Sequence, residues 1–67
     1  MYKLNRNELN KILHKKRISR SQLAISSNIS IETLNSWSYR GTMATEECAN
    51  RVCKFLNIDI VEIFDEV

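Results

Sequence analysis

The 67-residue sequence contains no proline and a single glycine, Gly41. Hairpins and β-sandwiches need turn residues of these types at frequent intervals, so the sequence predicts helices joined by short polar loops. Its two cysteines, Cys48 and Cys53, form no CxxC motif and have neither a second pair nor a nearby histidine to complete a zinc site. We therefore expect reduced, mostly buried thiols, and no metal or other cofactor.

Long apolar runs are also absent, because the longest strictly apolar run covers only residues 23–25, whereas a membrane span needs about 20 residues. The N-terminus lacks the apolar segment of a signal peptide, so we expect a cytoplasmic protein. The single histidine, His14, is accompanied by no nucleophile motif, phosphate loop or metal cluster. The sequence therefore predicts that the protein is not an enzyme.

Charge is distributed unevenly, although the net charge is only +2. Residues 1–20 hold seven lysines and arginines against one glutamate, a net charge of +6. Residues 41–67 hold two basic and six acidic residues, a net charge of −4. A basic end suits phosphate, but a solvated surface explains the charge alone equally well, so charge leaves both interpretations open.

Helix starts are marked by three capping-box patterns, in which a polar residue is followed three positions later by Glu or Gln. These patterns begin at Asn5, Ser19 and Asp59, and weaker starts are found at Ser30 and Thr45. Apolar periodicity completes the helix bodies. We therefore predict an all-α fold, a compact five-helix single domain over residues 1–67, with helices over residues 5–16, 19–27, 30–39, 45–56 and 59–65.

A tight turn is predicted between the second and third helices. Asn28 tolerates a left-handed backbone better than most residues other than glycine, and Ile29 is expected to fill the corner. Leu34 and Trp37 lie on the apolar face of the third helix. Two short helices joined by such a turn predict a helix-turn-helix.

Residues 18–37, ISRSQLAISSNISIETLNSW, resemble the helix-turn-helix core of the phage Cro and repressor (XRE) family. The resemblance continues through residues 49–56 and 58–64, and it implies a lambda-repressor-like fold. The sequence departs from the family at Asn28, where the family has glycine in the turn. It departs again at Leu13 and Ser38, where the family often pairs Arg with Glu, so we expect an apolar contact there.

The resemblance implies a Cro-like transcription regulator that binds double-stranded operator DNA in a lysis/lysogeny-type genetic switch in a bacterial host. The oligomeric form expected from the resemblance is a homodimer. Its third helix would enter the major groove. There Asn35 would pair with adenine, Ile31 would pack on a thymine methyl group and Glu32 would accept from cytosine. The implied base-reading residues are Ile31, Glu32, Thr33, Asn35 and Ser36, and the implied phosphate contacts are Arg20, Tyr39, Arg40 and Thr42.

An alternative function is an antirepressor, or modulator of repression, that binds a partner repressor and masks or redirects its DNA-binding surface. In size and organisation the chain resembles modulators that some Gram-positive temperate phages encode opposite their repressor. The third helix has no Lys or Arg before Arg40, and an acidic surface suits the basic face of a repressor. The candidate partner contacts are Glu46, Glu47, Ile60 and Phe64, with Ile31 and Met43 as further apolar candidates.

Overall fold

Four α-helices and a small two-stranded sheet make up the computed structural model, which describes residues 1–67. A π-helical turn continues the third helix, and a 3-10 turn precedes the second strand. None of the helices combines the length and the hydropathy that a membrane span requires. In chain order the elements are β1 (Tyr2–Leu4), α1 (Arg6–Lys16), α2 (Arg20–Ser26), α3 (Ile31–Asn35), the π turn (Ser36–Arg40), α4 (Glu46–Leu56), the 3-10 turn (Ile60–Glu62) and β2 (Phe64–Glu66).

The four α-helices begin where the sequence predicted. Each is preceded by a residue in extended backbone conformation whose side chain accepts a hydrogen bond from the backbone N–H three positions later. Such a cap stabilises a helix by about 1 kcal/mol, because it satisfies a donor that the helix leaves unpaired. The capping residues are Asn5, Ser19, Ser30 and Thr45, with distances of 3.2, 3.0, 3.0 and 3.2 Å.

The prediction of a fifth helix over residues 59–65 was wrong. The Asp59 N–H does donate to the Glu62 carboxylate at 2.9 Å, but the turn that follows is a short 3-10 turn. Phe64–Glu66 then pairs antiparallel with Tyr2–Leu4. The chain therefore has a mostly helical fold with a small sheet, because the segments near its two termini lie side by side and their backbone groups form hydrogen bonds between the strands.

A single cluster of 14 buried apolar residues forms the core. Leu23, Leu34 and Trp37 are among them, at 0, 0 and 4% exposure, as the sequence predicted. The sheet covers one side of this core, because Phe64 of β2 packs edge-on against Trp37. The ring centroids are 5.9 Å apart and the ring planes form an angle of 75°. The helix-turn-helix is therefore held against the paired termini.

Asn28 forms the turn between α2 and α3 with a left-handed φ of 57°. The Ile29 N–H after it donates to the Ala24 carbonyl at 3.0 Å, which ends α2. A β-branched residue is strained in this region, so Asn28→Val should lower the free energy of unfolding by about 1–2 kcal/mol. Asn28→Gly should leave it nearly unchanged. Urea denaturation of both variants measures this, and equal stability of the two would contradict the strain argument.

Candidate nucleic-acid interface

The five predicted base-reading residues lie on α3 and the first residue of the π turn. Because Leu34 and Trp37 point into the core, the opposite side of the segment faces outward. Ile31 and Glu32 are exposed, and none of the five predicted base-reading residues is buried. The other three, Thr33, Asn35 and Ser36, are half-buried.

Internal hydrogen bonds hold the three half-buried side chains. The Thr33 hydroxyl lies 2.8 Å from the Ser30 hydroxyl, and the Ser36 hydroxyl accepts from Arg40 Nη2 at 2.7 Å. The Asn35 carbonyl oxygen accepts from Arg20 Nη2 at 3.2 Å. These contacts limit side-chain rotation, so the polar groups of this face are oriented before any ligand arrives.

Arg20, at the start of α2, turns its guanidinium toward the end of α3. Its Nη2 donates to Ser38 Oγ at 2.6 Å, in addition to Asn35. Ser38 Oγ in turn donates to the Leu34 carbonyl at 2.9 Å. Arg20, predicted from the sequence as a phosphate contact, therefore ties α2 to α3, and its Nη1 is buried without a hydrogen-bond partner.

The expected apolar contact in place of the Arg–Glu pair is present on only one side. Leu13 is buried in the core, at 5% exposure. Ser38, by contrast, accepts a hydrogen bond from the Arg20 guanidinium. The sequence did not predict this contact, because Arg20 lies on α2 and reaches Ser38 only in the folded domain. A positive charge therefore remains in this corner without a carboxylate partner.

The other predicted phosphate contacts lie around the π turn. Tyr39 is 60% exposed, and Arg40 and Thr42 are also exposed. Gly41 ends the turn with a left-handed φ of 72°, and the Thr42 N–H donates to the Ser36 carbonyl at 3.2 Å. The turn therefore carries these side chains away from the core and beside the predicted base-reading residues.

Arg6 lies beside these residues, which the sequence did not indicate. Its Cζ lies 5.1 Å from the centroid of the Tyr39 ring, and Arg20 Cζ lies 5.3 Å from the same centroid. Both separations are in the range of cation–π attraction. Arg6 begins α1, far from Tyr39 in sequence, so the only signal available was the excess of basic residues in the first twenty.

Two comparisons with known proteins bear on this geometry. A profile of the Cro/C1-type helix-turn-helix DNA-binding domain matches residues 8–67. The chain belongs to this family. The resemblance that the sequence showed is thereby confirmed, since the match covers most of the chain.

The Cro/C1-type domain is also similar in structure to the crystal structure of the transcriptional regulator VanUg. The TM-score is 0.79, with 18% sequence identity, and the superposition covers 98% of this chain and 87% of VanUg. At that identity the similarity concerns the fold. No curated protein sequence matches the chain significantly.

The acidic candidates for a protein partner lie at the first turn of α4. Glu46 and Glu47 are both exposed, and Glu47 pairs with Arg51 at 2.7 Å. Ile60 is half-buried against the core. Phe64 is 2% exposed, so its assignment to a partner surface was wrong, because β2 pairing turns its ring onto Trp37.

Cys53 is a buried thiol of the Cro/C1-type domain. Burial, with smaller contributions from Glu62 and Asp59, raises its pKa from 9.0 to about 11. The unfolded thiol ionises first as the pH rises, so this contribution to stability is complete below about pH 9 and lost toward about pH 11. The stability of the native protein relative to Cys53→Ala should fall across that window in urea denaturation. A constant difference would contradict the shift.

Proposed function

We propose that this Cro/C1-type domain is a Cro-like transcription regulator, which binds operator DNA with α3 in the major groove in a lysis/lysogeny-type genetic switch. The burial of Leu34 and Trp37 carries the proposal, because it leaves the opposite face of α3 free for another molecule. A helix-turn-helix docks through this face. Occupation of the operator would then block the promoter.

Base reading depends on three side chains of α3. Ile31 is 38% exposed and offers an apolar surface to a thymine methyl group. Asn35 keeps its amide N–H donors free, while Arg20 holds its oxygen; the second lone pair of that oxygen can still accept from adenine. Glu32 accepts from cytosine N4, as carboxylates do in the major groove.

We further propose that two copies bind together. A domain with a longest dimension of 29 Å reaches few phosphates, and binding with few phosphate contacts is weak at physiological salt. Two copies would occupy half-sites one helical turn, about 34–36 Å, apart. The operator is then expected to be an imperfect palindrome, whose symmetry matches that of the protein pair.

A salt titration tests the proposal. Fluorescence anisotropy with duplexes from the promoter region next to this gene, between about 50 and 200 mM salt, should show affinity that falls steeply with salt. Scrambled duplexes of the same length are the control, and they should bind more weakly at every salt concentration. Absence of binding to every fragment at low salt would refute the function.

The modulator function is a second candidate, supported by the internal hydrogen bonds of the arginines predicted to contact phosphate. The Arg20 and Arg40 guanidiniums are partly occupied by internal hydrogen bonds. Glu46 is exposed and forms no ion pair, and Glu47, also exposed, pairs only with Arg51 of its own helix, so both carboxylates can face a basic partner surface. This function requires a stable complex with the repressor encoded nearby, which calorimetry measures. Replacing both glutamates with lysine should weaken the complex, whereas replacing both Asp65 and Glu66 with lysine, an equal charge change on exposed positions of β2, should not. Unchanged affinity in the double variant would exclude this surface.

A further inference from the structure

We infer that Arg6 is a DNA-backbone contact, and that the Tyr39 ring positions it together with Arg20. This group of three residues, the Tyr39 corner, would hold one phosphodiester group at the edge of the base-reading face. The inference rests on the proposed function, and it adds a residue from α1 to an interface otherwise built from α2, α3 and the π turn.

The Tyr39 corner is built by residues that are remote in sequence. The guanidinium carbons of Arg6 and Arg20 lie 5.1 and 5.3 Å from the ring centroid. Arg6 is exposed and Tyr39 is 60% exposed, so a ligand can reach both. The aromatic ring restricts the Arg6 side chain, and a restricted guanidinium loses less entropy when it binds an oxyanion.

Positive charge in the corner is not neutralised within the protein. The two ion pairs of the chain join Lys11 to Glu8 and Arg51 to Glu47, and neither involves the corner. Arg20 Nη1 is buried and its Nη2 is held by internal acceptors, so Arg20 contributes its positive charge to the corner and the exposed Arg6 guanidinium provides the free donors. An anion at this edge would therefore meet positive charge that no carboxylate of the protein has already neutralised. An arginine fork matches the geometry of phosphate oxygens.

The position of the corner favours a phosphodiester backbone over other anions. Arg20 contacts both the Tyr39 ring and Asn35, so the corner lies directly beside the base-reading side chains. When α3 occupies the major groove, the strand that borders the groove passes along this edge. The adjoining groove is lined by the exposed residues Lys3 and Arg6 and also by Asp65. Because the Asp65 carboxylate repels a phosphate, the DNA backbone is expected to approach Arg6 from the Tyr39 side.

Four variants test the inference through the slope of log affinity against log salt. Arg6→Gln should reduce the slope by about 1, the loss of one phosphate contact, and weaken specific and scrambled duplexes alike. Lys54→Gln, an equal charge loss on α4, should retain the native slope. Tyr39→Leu should reduce the slope as Arg6→Gln does, whereas Tyr39→Phe, which retains the aromatic ring and loses only an uncharged hydroxyl, should retain the native slope.

The outcomes separate this inference from the function on which it rests. Native protein that binds no duplex overturns both. Native binding with an unchanged slope in Arg6→Gln overturns only the contact, and equal behaviour of Tyr39→Leu and Tyr39→Phe overturns the positioning role of the ring. Saturable binding of inorganic phosphate near Tyr39, measured by NMR, with normal duplex binding by Arg6→Gln, would make the corner a free-anion site and overturn the backbone assignment.

Discussion

Trp37→Ala should lower the free energy of unfolding by about 3–5 kcal/mol, the usual cost of truncating a buried aromatic side chain. A domain of 67 residues has a total stability of roughly 3–10 kcal/mol, so the substitution should remove a large part of the native stability. The effect is large because Trp37 is only 4% exposed and packs against Phe64. Its loss leaves a cavity between the helix-turn-helix and the sheet.

Guanidinium denaturation followed by circular dichroism measures this loss, since the variant lacks the only tryptophan. Val61→Ala is the matched control, because Val61 is 77% exposed and a surface truncation changes stability by less than about 0.5 kcal/mol. A loss of under 1 kcal/mol in Trp37→Ala would mean that the ring does not join the two parts of the core.

Asn35→Ala should remove sequence discrimination at one base pair of the operator. A bidentate contact to adenine accounts for about 1–3 kcal/mol, on the order of five- to 150-fold in relative affinity. Folding should be affected little, because Arg20 Nη2 keeps its 2.6 Å hydrogen bond to Ser38 Oγ. The variant therefore separates base reading from stability.

Competition binding against operators substituted at each position identifies the base pair that Asn35 reads. Asn50→Ala, the same chemical change at an exposed position of α4, should leave every affinity unchanged. If Asn35→Ala instead weakened all duplexes equally, Asn35 would act by orienting Arg20, and its assignment as a base-reading residue would be wrong.

Local hydrogen bonding explains why so much of the helix-turn-helix was predictable. The cap at Ser30 joins a hydroxyl to an N–H only three residues away. Asn28 adopts a left-handed backbone conformation, which asparagine tolerates better than most other residues. The spacing of Leu34 and Trp37 likewise follows the period of a helix. Each of these features depends on a short segment, so the segment's residues are sufficient to predict it.

The strands and the Tyr39 corner depend on segments that are distant in the chain. Phe64 has an apolar spacing compatible with a helix, but pairing between Leu4 and Phe64 places it in a strand. Arg20 and Arg6 reach Tyr39 because the helices pack together. The composition and local spacing of the residues thus determined the caps, the turn and the buried face of α3. Only tertiary contacts decided the sheet and the direction of the arginines, because the free energy of those interactions is gained only once remote segments meet.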